Sequence, residues 1–173
     1  MSSILKIALA GIVLAALGTA VFLSLREGDT VDTTFVSPLQ TKVVPHSGYV
    51  IDLPSNYSLK ENTGPDFSVF YFKPIDTTSI PNFYGGFYLG NYPSRFSVAN
   101  NSCSHAPLQA PLFNALEEWT LFDCMNGFSS QAIGATNTKD GWDTYVHAFG
   151  HGADDEALHK LVTIFATLRK KEK

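Results

Sequence analysis

The chain has 173 residues, of which 45% are hydrophobic, 13% aromatic and only 16% charged. That composition excludes a disordered chain, and the roughly 150 residues after an apolar N-terminal block fit one domain, not two. Outside Lys6, Arg26 and the tail Arg169–Lys173, fifteen acids face six basic residues, leaving the body at about −9; such a body repels phosphate backbones, which argues against nucleic acid as a partner.

The first predicted element is a membrane anchor at residues 4–25. Ile7 to Leu25 carries no charge, Lys6 precedes it, and Arg26, Glu27 and Asp29 end it. Nineteen residues at 1.5 Å rise span about 28 Å, close to the bilayer's hydrocarbon core. A cleaved signal peptide is the competing reading, with small residues at Gly18-Thr19-Ala20. The apolar run continues through Val21, Phe22 and Leu23, which favours an uncleaved anchor. Ala8, Gly11, Ala15 and Gly18 recur at steps of three and four. They form a small-residue stripe suited to packing against another transmembrane helix.

Residues 26–42 are polar and Thr-rich and read as a linker. A domain at 43–170 follows. Gly48–Leu53 reads as a strand ended by Pro54. Ser68–Phe72 is β-branched and aromatic and reads as a buried strand. Phe83–Tyr92, FYGGFYLGNY, reads as a strand whose glycines mark a bulge or a close backbone approach. Its rings have two readings: alternate rings in the core, or Tyr84, Tyr88 and Tyr92 as an exposed stripe that meets a protein or ligand. Residues 93–112 read as irregular, with Pro93, Pro107 and Pro111. Phe113–Asp123 starts as a helical turn and passes into a strand around Trp119–Phe122. Gln131–Thr136 is a strand and Asn137–Gly141 a turn. Trp142–Phe149 alternates as the next strand. Asp154 and Asp155 then open a helix whose apolar face is Leu158, Leu161, Val162, Phe165 and Leu168. The tail cations Arg169, Lys170, Lys171 and Lys173 read as a solvated helix end. The expected fold class is α+β: an antiparallel sheet with a packing C-terminal helix, preceded by one transmembrane helix.

Cys103 and Cys124 are the only cysteines. An even pair in a chain with an export-type N-terminus is expected to form a disulfide, which places the domain on the extracytoplasmic side. No zinc spacing accompanies them. His147, His151, Asp155 and His159 form the most metal-like set, and the last three would stack on one face of a continuous helix. Gly152 argues that the helix begins too late for that. Glu117-Glu118 are adjacent and diverge in a strand or a helix alike, which argues against paired acid–base work. No G-x-S-x-G or phosphate-loop motif is present. Asn56-Tyr57-Ser58 and Asn100-Asn101-Ser102 match the glycosylation acceptor pattern. No catalytic residue, metal ligand or cofactor is assigned.

Three stretches carry a family resemblance: GYVIDLPSNY (48–57), GGFYLGNYPS (85–94) and WDTYVHAFGHGADDEALHKLVTIFATLR (142–169). Their order resembles the PsbP/Mog1-like family over residues 43–170. The resemblance implies a twisted antiparallel sheet flanked by helices, with a C-terminal helix after the last strand. It also implies a non-enzymatic domain that attaches to larger, often membrane-bound, assemblies. The long anchor and the cysteine pair are not general features of that family.

The expected function is therefore a non-enzymatic, single-pass accessory subunit of a membrane complex. Its partners would be integral membrane subunits, with lipid around its helix. The alternatives are a free-standing periplasmic or envelope binding protein and a small metal-dependent hydrolase.

Overall fold

The computed structural model describes residues 34–76, 82–97, 103–125, 127–136, 138 and 141–172. The anchor and its stripe Ala8, Gly11, Ala15 and Gly18 lie outside the described residues, as does Asn100-Asn101-Ser102. Among the described residues no helix is long and apolar enough to cross a membrane.

Two antiparallel sheets form the fold. The small one has the order β1-β2-β10, with β1 Leu39–Val44, β2 Tyr49–Pro54 and β10 Arg169–Lys170. The large one has the order β3-β4-β5-β9-β8-β7-β6. Its strands are β3 Tyr57–Thr63, β4 Phe67–Pro74, β5 Phe83–Gly90, β6 Cys103–Leu112, β7 Ala115–Cys124, β8 Gly127–Ala135 and β9 Tyr145–Gly152. One helix, α1 Asp155–Phe165, follows β9.

This corrects the α+β expectation: the described residues are mostly strand, with a single eleven-residue helix. The added strands are those whose sequence hides them. β1 starts inside the stretch read as linker. β3, YSLKENT, is an edge strand and turns Lys60 and Asn62 to solvent. β6 carries Pro107 and Pro111, and its place at the opposite edge explains how a strand tolerates residues that cannot donate to a ladder. The expected helical turn at Phe113 is instead a two-residue hairpin loop. Phe113 and Asn114 have φ of 53° and 66°, the twist that suits a tight hairpin.

The large sheet buries one face. Phe70 and Phe72 of β4, Phe87 and Leu89 of β5, Trp119 of β7, and Val146 and Ala148 of β9 point into it. They share one core with Val44, Ile51 and Leu53 of the small sheet and with α1. Leu158, Leu161, Val162, Ile164 and Phe165 form the helix's buried side. Asp154 caps the helix, its Oδ1 accepting from the Ala157 N–H at 2.7 Å. The helix can lie close because Gly85 and Gly150 sit opposite each other under Leu161. A Cβ on Gly150 would stand 2.5 Å from Leu161 Cδ2 and 2.7 Å from the Tyr84 carbonyl oxygen.

The tail is not a helix end. The chain turns after Phe165, buries Leu168, and pairs Arg169 with Val50. The Arg169 guanidinium donates to both oxygens of Asp52, at 3.0 and 3.3 Å. Thr167 Oγ1 accepts from the Asp52 N–H at 2.9 Å, so the joint is held from both sides.

Cys103 and Cys124 are bridged across the open end of the β6–β7 hairpin, with Cα atoms 4.3 Å apart. That spacing belongs to a non-hydrogen-bonded antiparallel pair. A 21-residue loop is worth roughly 3 kcal/mol in the chain-entropy model. The hairpin ladder already restrains this loop, so Cys124→Ser is expected to cost less, about 2 kcal/mol, in denaturant titration. An unshifted midpoint, or two freely alkylating thiols in the native protein, would refute the bridge's contribution.

Candidate functional site: the strapped aromatic face

The other face of the large sheet is the site. In β5 the sequence FYGGFYLG sends Phe83, Gly85, Phe87 and Leu89 to the core, and Tyr84, Gly86, Tyr88 and Gly90 outward. Alternate rings fill the core, while Tyr84 is exposed on the opposite face and Tyr88 is only partly so. Tyr92 lies just beyond the strand and is 82% exposed.

Strand register extends the face. One rung runs Lys60, Tyr71, Gly86, Phe149, Gln131, Thr120, Pro107 from edge to edge. A second pairs Tyr84 with His151 and His151 with Ser129. The rings meet over these rungs. Tyr71 and Phe149 are edge-on at 6.1 Å, and Tyr84 stacks on His151 at 5.1 Å. They close over Gly86, where a Cβ would lie 2.4 Å from the Phe70 carbonyl oxygen and 3.1–3.2 Å from both rings. Tyr71 and Tyr84 nonetheless remain 47% and 44% exposed.

A strap borders this shelf. β5 and β6 are separated by β9, β8 and β7, so the connection must cross the sheet. Residues 91–97 cross on the outer face. Asn91 Oδ1 accepts from the Thr144 N–H at 3.3 Å, and Arg95 Nη1 donates to Thr120 Oγ1 at 3.0 Å. Gln131 grips the backbone of Phe96: its Oε1 accepts from the Phe96 N–H at 2.8 Å and its Nε2 donates to the Phe96 carbonyl at 2.9 Å. That pairing fixes the amide, so His147 Nε2, 3.1 Å from Gln131 Oε1, is the donor of a neutral ring. Phe96 lies over His147 at 4.9 Å and against Phe149 at 5.2 Å. Burial, with Arg95 as a lesser cause, pushes the His147 pKa down to about 4.

Compared with known protein families, characterised proteins and solved structures, the chain matches none.

The metal-like set does not converge. His147 and His151 lie on the outer face of β9, whereas Asp155 and His159 lie on α1, which packs against the other face. His159 Nδ1 stays local, 2.9 Å from the Asp155 carbonyl oxygen. The break at Gly152–Asp154 turns the four-residue spacing into strand followed by helix. Among the described residues no group of three or more His, Cys, Asp or Glu is placed to hold a metal ion. Glu117 and Glu118 pair with Ala110 and Gln109 and point to opposite faces of β7. The bridged Cys103 and Cys124 lie at the far end of the sheet from the aromatic shelf. Asn56 is exposed in the β2–β3 turn.

A cleft of about 330 Å³ lies elsewhere, lined by Phe35, Tyr57, Phe83, Asp154, Glu156 and Lys160 among others. Its polar groups are largely spent on the fold. Asp154 caps α1, Glu156 pairs with Lys160, and the Tyr57 hydroxyl donates to the Phe83 carbonyl at 2.9 Å. Burial pushes the Tyr57 pKa up to about 12, so the hydroxyl stays a neutral donor. The outer face keeps rings free for a partner, which the cleft does not.

Sequence reasoning found Tyr84, Tyr88 and Tyr92 but missed Tyr71, Phe96, Phe149, Gln131 and the strap. The alternation of β4, with Phe67, Val69, Tyr71 and Lys73 opposite the core residues, was the available signal.

Proposed function

We propose that this protein is a non-enzymatic accessory subunit of a membrane complex. It is anchored by its N-terminal apolar segment and holds its folded domain on the extracytoplasmic side. The supporting observation is the aromatic outer face: Tyr71 and Tyr84, on either side of Gly86, stay half-exposed on a sheet whose other face is filled. Tyr and Phe are enriched in protein interfaces because they offer large contact area at low entropy cost. The Cys103–Cys124 bridge supports the oxidising side of the membrane. The resemblance to the PsbP/Mog1-like family belongs to the same proposal, since it implies a domain that attaches to larger, often membrane-bound, assemblies. The chain departs from the family pattern in having one helix among its described residues.

The test is extraction of the full chain in mild detergent. It is expected to bring stoichiometric membrane-protein partners, and Tyr71→Ser with Tyr84→Ser is expected to release them. Replacing Gly11 and Ala15 with Leu tests the stripe in the anchor, because the larger side chains hold helix backbones apart. A chain that purifies alone sinks the proposal in favour of a free-standing envelope binding protein, the reading that the cleft favours. Partners retained by both variants would sink the two proposed surfaces.

A further inference from the structure

The chain is acidic, yet one half of its outer face is not. The outward positions of β3, β4, β5 and β9 include not a single carboxylate, although the sequence holds sixteen acids. Those positions carry Lys60 and Lys73, both exposed. Arg95 reaches the same face from the strap. Most acids lie elsewhere: Asp154, Asp155 and Glu156 open α1 on the opposite side, and Asp52 is tied to Arg169. On the outer face itself Glu118 lies on β7, two residues from the Thr120 that holds Arg95 and outside the β3–β4–β5–β9 half. Lys60 stands directly across from Tyr71, and Lys73 lies two residues further along β4 on the same face. The cations therefore frame the exposed rings.

We infer that this face docks an acidic segment of a protein partner, its carboxylates meeting Lys60, Lys73 and Arg95 and its apolar side chains lying on Tyr71, Tyr84 and Phe149. The inference rests on the accessory-subunit reading. Charge complementarity selects the sign of the partner and speeds encounter, while buried rings supply most of the affinity. A lipid surface fits less well. Patches that bind anionic membranes use roughly 4–8 Lys or Arg. Three cations fall short of that, and half-exposed rings in a rigid sheet match a shaped protein surface better.

The experiment uses the full chain in uncharged detergent micelles and three probes. The first is a dye-labelled peptide alternating Glu with Trp and Leu. The second is the same peptide with Lys for Glu. The third is a vesicle of phosphatidylcholine and phosphatidylglycerol. The acidic peptide is expected to bind saturably and at least about tenfold more tightly than the basic one, and to weaken as salt rises. Lys60→Glu with Lys73→Glu should weaken it about tenfold or more at an unchanged melting temperature, and Lys60→Arg with Lys73→Arg should preserve it. Equal binding of the two peptides, or an unaffected charge-reversed variant, overturns the inference. Binding of the vesicle with neither peptide bound makes lipid the occupant and overturns it too. Partner retention separates the two levels. If the charge-reversed chain keeps its co-purifying partners while Tyr71→Ser with Tyr84→Ser loses them, the face is right and its charge preference is wrong. If both variants keep them, the partners are held elsewhere and the inference fails, whereas a parent chain that purifies without partners overturns the accessory-subunit reading beneath it.

Discussion

Phe165→Ala is expected to destabilise the domain by about 4 kcal/mol, the upper part of the range for a buried ring truncated to a methyl group. Phe165 has no exposed surface and stands where helix and sheet meet. Its ring lies 5.4 Å from Phe72, 6.4 Å from Phe87 and 5.5 Å from Trp119. Those neighbours come from three separate strands of the large sheet, and each is anchored by its own ladder. They cannot all move inward to fill the space, so most of the cavity persists and its cost adds to the lost transfer energy. Tryptophan fluorescence is a direct reporter, because Trp119 touches the deleted ring. The full chain should melt roughly 10 °C or more below the parent. A melting transition within about 2 °C of the parent would show that the helix does not seal this core.

How much of this was legible in the sequence depends on burial. The helix was readable because Leu158, Leu161, Val162 and Phe165 keep a helical period, and Asp154 stands where a cap is needed. The core strands β2, β4 and β5 were readable because β-branched and aromatic residues cluster in them, whereas β8, Gly127–Ala135 with only Phe128 and Ile133 of those types, was read only from Gln131 onward. Legibility fails at the sheet edges. An edge strand has one pairing partner and little need for continuous apolar character, so β3 and β6 look like loops. Pro107 and Pro111 in particular argue for irregular chain until the strand order shows that β6 has a free side. The boundary of β9 shifted by three residues for a related reason. Trp142 and Asp143 continue the alternation but belong to the loop, where Asp143 accepts from the Tyr49 hydroxyl at 2.5 Å. The site was half legible. Alternation separates Tyr84 and Tyr88 from Phe83 and Phe87, but it cannot say that Phe149 stands beside Tyr71. That neighbourhood comes from the strand order, and the strap follows from it, since a chain leaving β5 for the far edge must cross three strands.

Acid should loosen the strap. His147 is 3% exposed, and its pKa falls from an ordinary 6.5 to about 4 in the folded protein. A buried imidazole that stays neutral makes the unfolded state the better proton binder between those values. Stability is then complete above about pH 6.5, falls as pH drops towards 4, and loses nothing further from this group below that. At pH 4.5 the loss from His147 is about 2.5 kcal/mol relative to pH 7.5. Arg95 adds to the effect, because a protonated His147 would face its positive charge with no carboxylate on the outer face of β5, β8 or β9 to offset it. Protonation also adds a charge under Phe96, the ring that Gln131 holds in place. His147→Gln retains a side-chain donor towards Gln131 and has no titration in this range. Urea titrations of both proteins at pH 7.5 and 4.5 test the idea: the parent should lose about 2.5 kcal/mol more than the variant between the two conditions. Glu61, whose carboxyl is held below its usual range chiefly by a hydrogen bond from His46, is present unchanged in both proteins. It should therefore affect both proteins alike. Equal acid losses in parent and variant would show that the ring under the strap is not what acid titrates.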